Sequence, residues 1–131
     1  MSFSNYLEEK TLNHFFKNIP TTSPGAVYLA LYISDPTEFD TGTEVSGGGY
    51  SRQIVNFGAN TTSGNKTVIT NNADIQFNVA ESSWGTITHM GIRDSQTGGN
   101  LLVYAPFSVS RAIETGDQFY IPTGKISISL D

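Results

Sequence analysis

The chain has 131 residues and no cysteine, which fits a single core of ordinary size and removes disulfide staples, Cys-based zinc sites and thiol nucleophiles together. Seven Lys and Arg against twelve Asp and Glu leave a formal charge of −5 with no basic run, so the electrostatic footprint of a nucleic-acid binder is missing. No stretch approaches the ~18 to 20 apolar residues of a membrane span, and Met1-Ser2-Phe3-Ser4 lacks the basic end and apolar run of a signal peptide. The chain is therefore expected to be made in the cytosol and to need no membrane partner.

Val, Ile, Thr, Tyr, Phe and Trp total 48 residues against 33 for the strong helix formers, which tilts the chain towards β structure. Ser, Thr, Asn and Gly together number 52, so the surface is expected to be neutral and polar.

Along the chain, the first element is a helix. Phe3, Leu7, Leu12, Phe15, Phe16 and Ile19 recur at helical spacings, Ser4 or Asn5 can cap the start, and Pro20 closes a helix predicted over about Asn5 to Asn18. Two roles fit it: a lid over one end of a sheet, or an arm that contacts a partner. Ala26 to Ile33 follows, apolar on both faces, as the best candidate for a central strand. Ser34 to Gly49 has turn residues and no periodicity, and reads as a long loop of the kind usually kept for function.

Further strands are predicted around Arg52 to Phe57, Ala73 to Val79, Thr86 to Ile92, Leu101 to Val109, Gln118 to Ile121 and Ile126 to Leu130. Pro106 should sit at an edge or a bulge, because proline cannot donate to a ladder. About eight short strands at this spacing imply an all-β chain. The expected fold is an antiparallel, jelly-roll-like β-sandwich over residues 1–131, with 1–20 as an N-terminal α-helix or arm.

Chemistry is harder to find. Asp35, Glu38, Asp40 and Glu44 place four carboxylates in ten residues, oxygen ligands of the kind that calcium takes, but their spacing does not match an EF-hand loop and a solvated acidic loop is the expectation. Gly47-Gly48-Gly49 is followed by no Lys-Ser or Lys-Thr, so a tight backbone approach explains it better than a phosphate cradle. No G-x-S-x-G occurs, and neither His14 nor His89 has a carboxylate at triad spacing. Tyr50, Trp84 and Tyr104 are candidates for an aromatic platform against a sugar; the competing reading makes Trp84 a core residue at the end of a sheet. No residue pattern calls for a catalytic group, a metal or a cofactor, and the expectation is a protein that is not an enzyme.

Four segments and a tail carry a resemblance: Ser4-Asn5-Tyr6-Leu7-Glu8, E-V-S-G-G-G-Y-S-R at 44–52, W-G-T-I-T-H-M-G-I at 84–92, T-G-G-N-L-L at 97–102, and G-D-Q-F-Y-I-P-T-G-K-I-S-I-S-L-D from Gly116. Together they resemble a family of small tailed-bacteriophage virion structural proteins, which includes proteins labelled tail-fibre proteins and proteins similar to capsid decoration, or cement, proteins. The resemblance implies a place in the virion, on the capsid surface or the tail. Its first implied function is decoration of the head by a homotrimer, with the major capsid protein and copies of itself as partners. Phe3, Tyr6, Leu7, Phe15 and Phe16 would then supply apolar anchors, and Gly47, Gly48, Gly49 and Tyr50 a close approach between subunits. The alternative is a tail-fibre or receptor-binding module that recognises host surface polysaccharide through Tyr50, Trp84 and Tyr104.

Overall fold

The computed structural model describes residues 1–131. One helix, α1 (Asn5–Phe16), accompanies ten strands: β1 (Ser2–Phe3), β2 (Val27–Tyr32), β3 (Gln53–Val55), β4 (Thr61–Ser63), β5 (Lys66–Thr70), β6 (Ile75–Gln76), β7 (Gly85–Arg93), β8 (Leu101–Ile113), β9 (Tyr120–Ile121) and β10 (Ser127–Leu130). They form a five-stranded sheet in the order β1-β8-β7-β2-β3, a three-stranded sheet β10-β5-β4 and a pair β6-β9, every neighbour antiparallel. This is the all-β sandwich with one N-terminal helix that the composition and spacing imply.

Alternation along β2 decides where the core lies. Leu29 and Leu31 point into the main core with Val55, Ile87, Ile92 and Val103, where Ile75 and Ile121 of the β6-β9 pair, with Phe77 just after β6 and Ile126 just before β10, meet them. Ala30 and Tyr32 point to the opposite face and pack with Leu101 and Tyr104. The apolar character of β2 on both sides thus reflects two covered faces. On the second face the Tyr32 ring lies over Gly91, where a Cβ would stand 2.9 Å from Tyr32 Cε2 and 2.7 Å from Leu101 Cδ1.

Several elements depart from the pattern read along the chain. Between residues 73 and 80 the inward set is Ile75, Phe77 and Ala80, so the phase slips by one residue and leaves Val79 half exposed. The strand expected from Leu101 runs on to Ile113. Pro106 sits in it where both of its expected tolerances meet. The short β1 reaches only Val103 and Tyr104, leaving Pro106 on a free edge, and the β7–β8 register breaks between Ile87 and His89 directly beside it. The hairpin β4–β5, with its two-residue Gly64-Asn65 turn, was not expected, because its strands carry mainly Thr and Ser and lack apolar alternation.

Replacing Gly91 with Ala should destabilise the fold by about 1–3 kcal/mol, because the added methyl overpacks a filled layer. Urea denaturation would read this as a lower midpoint with an unchanged slope.

Candidate interaction surface

The helix is built from its start. Ser4, almost fully buried, is its cap: Ser4 Oγ accepts from Leu7 N at 3.2 Å and donates to the Leu101 carbonyl, while Ser4 N donates to Leu102 O at 2.8 Å. Asn5 N donates to Glu38 O at 2.9 Å, so the first turn is fixed to both β8 and the long loop. At the other end Asn18 takes a left-handed φ of 56° and Ile19 N turns back to Asn13 O, which stops the helix before Pro20 is reached.

The apolar residues that predicted this helix divide into two sets. Phe3 and Leu7 pack against the main core, and Tyr6 and Leu7 line a groove of about 530 Å³ between α1, residues 21–24, Asp94 and Leu102. Leu12, Phe15, Phe16 and Ile19 point outward, with Phe15 73% and Phe16 79% exposed, and no residue of α1 is fully buried. The helix is thus more than a lid: Leu12, Phe15 and Phe16 on its second half, continued by Ile19 just past its end, present an apolar stripe to solvent.

The remaining expected contact residues lie elsewhere. Gly47, Gly48 and Gly49 all have positive φ, and the tight approach occurs within the chain. A Cβ on Gly48 would stand 2.6 Å from Ser82 Oγ and 3.0 Å from Trp84 Cδ1, and the Gly48 carbonyl accepts from Trp84 Nε1 at 2.9 Å. Gly48 and Gly49 therefore have a role within the fold, whereas Gly47 is exposed, with open space where a Cβ would stand.

The sugar platform does not assemble either. Trp84 is 4% exposed, edge-on to Tyr50 at 5.4 Å and packed on Phe77, as a core residue at the end of a sheet. Tyr50 is partly buried, and its hydroxyl donates to Glu44 Oε2 at 2.7 Å and accepts from Leu31 N at 3.0 Å. Tyr104 packs on the opposite face of the five-stranded sheet, where burial and the charges of Asp35, Glu38 and Glu8 push its hydroxyl pKa up.

The long loop is a fitted cover, not a solvated acidic strip. Arg93 donates from Nη1 and Nη2 to the two Asp40 oxygens at 2.7 and 2.9 Å, from Nη1 to Tyr32 Oη, from Nη2 to Gly99 O and from Nε to Gly98 O. Arg52 donates from Nε and Nη2 to Glu44 at 2.8 and 2.7 Å, and from Nη1 to the carbonyls of Ser95 and Gly98 at 2.8 Å each. Burial opposes the charge of Arg93, but the bonds from Asp40 and Tyr32 outweigh it and raise its pKa; the Glu44 bonds do the same for Arg52. His89 Nε2 lies 3.8 Å from Asp35 Oδ1, and its Nδ1 shares a hydrogen with Thr88 Oγ1 at 2.8 Å, so the ring stands beside the loop. Sequence spacing concealed these partners, since Arg93 is 53 residues from Asp40.

Two outcomes follow from this geometry. Arg93→Met should destabilise the chain by about 1–3 kcal/mol by leaving the Gly99 carbonyl without a donor and Asp40 without its partner, while Gly98 O keeps its bond from Arg52, read by chemical denaturation. Burial and Glu44 raise the Tyr50 pKa above its ordinary 10.0, so above that pH the unfolded chain loses a proton that the folded chain keeps, and stability falls as pH rises. Tyr50→Phe should flatten part of that alkaline slope while lowering stability at pH 7 by about 1–3 kcal/mol, because Leu31 N loses its acceptor.

Comparison with known proteins agrees with a structural part. No curated protein matches the chain. The family model Gp80, described as podophage GP4 fiber I protein gp80, matches residues 2–129. The chain belongs to this family of phage fibre proteins, and its role is that of a virion structural protein.

Proposed function

We propose that the chain is a docking subunit of the virion that decorates the outside of the head, with the major capsid protein and further copies of itself as partners. The observation that carries this reading is the outward stripe Leu12, Phe15, Phe16 and Ile19. Covering a phenylalanine side chain completely is worth about 1.5–3 kcal/mol, so a partner that encloses Phe15 and Phe16 gains enough to matter, while the isolated fold gains little from them. A chain that binds only the assembled shell stabilises that shell by mass action. The charge of −5 suits a position outside the head, away from packaged DNA.

The family's fibre description is equally compatible with a second location, in which the same stripe fixes the chain to a fibre. Recognition of host polysaccharide through Tyr50, Trp84 and Tyr104 has less support, since Trp84 is buried and Tyr104 lies on the opposite face of the sheet from Tyr50 and Trp84.

Immunogold labelling of purified virions separates the locations: gold over the head supports decoration, and gold confined to the tail or its fibres overturns it. For the stripe, Phe15→Ser combined with Phe16→Ser should leave the unfolding free energy within about 0.5 kcal/mol of the parent. The same variant should lose incorporation into virions by more than about a hundredfold. Normal incorporation would overturn the docking role of α1.

A further inference from the structure

The exposed side of α1 matches a groove at the far end of β8, and we propose that the two dock on one another between copies of this chain, head to tail. This deepens the docking role proposed for α1 by naming its partner as a second copy.

The donor is the outward side of the helix. At 100° per residue, Glu8, Leu12, Phe15 and Phe16 fall within one sector of roughly 100°, all exposed, and exposed Ile19 follows just past the end of the helix. Tyr6, Leu7, Lys10, Thr11 and His14 fall on the other side, along residues 21–24, Asp94 and Leu102, and Phe15, at the edge of the exposed sector, borders the same groove while staying 73% exposed. The donor side is therefore apolar with a carboxylate in line, and Glu9 stands at its margin.

The acceptor is a groove of about 540 Å³ between the second half of β8 and residues 118–126. Its lining includes Phe107 and Phe119, which pack edge to face at 5.7 Å and end the run of aromatic contacts leading from Trp84 through Phe77. Val109 is 70% and Tyr120 54% exposed at its walls. The only charged groups that line it are Arg111 and Lys125. An apolar slot with two cations fits an amphipathic helix that carries Glu8 and Glu9 beside its apolar stripe.

The helix cannot fill the groove of its own chain. Its first turn is fixed to Leu101 and Leu102, and Val109 lies seven residues farther along β8, about 23 Å at ~3.3 Å per residue. Pairing of α1 with α1 fits less well. An antiparallel pair sets Phe15 and Phe16 against the partner's Glu8 and Glu9, and a parallel pair opposes glutamate to glutamate. Donor and acceptor are different surfaces, so the contact is heterologous, and copies add until a ring closes or a filament grows.

Sedimentation velocity of the full chain over a range of concentrations tests this. The parent should form species larger than a dimer. The helix variant (Phe15→Ser with Phe16→Ser) and a groove variant (Val109→Asp with Arg111→Glu) should each stay monomeric. Their equimolar mixture should give a 1:1 dimer that grows no further, since only one intact donor and one intact acceptor remain. A folded groove variant that assembles like the parent would overturn the proposal in favour of α1 pairing with α1. A parent that is monomeric throughout would overturn it too, and virion incorporation of the helix variant would then judge the docking role on its own. A charge exchange covers the case of a groove variant that fails to fold. Glu8→Lys should weaken assembly at least fivefold, and adding Lys125→Glu should restore it; failure to restore counts against the groove.

Discussion

Two guanidinium groups that share one carbonyl hold the irregular part of this molecule in place. Arg52 and Arg93 both donate to Gly98 O, and from that point one reaches Glu44 and the other Asp40. Every N–H of Arg93 has an acceptor, and no buried side-chain polar atom in the chain lacks a partner. The two side chains fix the long loop between β2 and β3 to the turn between β7 and β8, and that cover encloses the Tyr32 face of the sheet. A lysine in either place would supply a point charge without the fixed fork that reaches a carboxylate and a carbonyl together.

The same interaction explains what the recurring motifs of the sequence do. The 44–52 segment contributes Glu44, Tyr50 and Arg52, the 97–102 segment contributes the Gly98 and Gly99 carbonyls, and Trp84 is bonded to Gly48 of the first. These segments join one another inside the chain. Polar groups occupied in this way are unavailable to a substrate, which accords with a part played in assembly. Asn71 has the same kind of role on the opposite side. Its side chain donates to Ala73 O and Pro122 O and accepts from Ile126 N, linking the β6–β9 pair to the start of β10.

Periodicity revealed the elements that have an apolar face and was silent about what covers that face. The helical spacing of Leu12, Phe15, Phe16 and Ile19 marks a helix equally well whether a core or a partner lies over the stripe. Strands with alternating Ile, Val and Leu were legible for the same reason that Thr61 to Ser63 was not: a strand exposed on both faces carries no hydrophobic signal, and only the Gly64-Asn65 dipeptide marked its hairpin. The burial of Trp84 was legible as one of two readings. The tie of Asp40 was not, because Arg93 lies 53 residues away and an ion pair between distant residues leaves no trace in local spacing. Glu44 and Arg52 stand only eight residues apart, but in irregular backbone that spacing implies no contact. The composition of the loop does not show that two arginines, one on β7 and one just before β3, set its conformation.

The attachment of α1 has a consequence for how such a protein can change over generations. The helix is secured through Ser4 and its first turn, and no residue along its length is fully buried. Substitutions in its second half should therefore leave the sandwich almost as stable as before, within the range of ordinary surface changes. The Arg52 and Arg93 joints permit no such freedom. One short segment can thus drift to suit a new neighbour while the rest of the chain stays constrained, so partner choice and foldability evolve on separate residues.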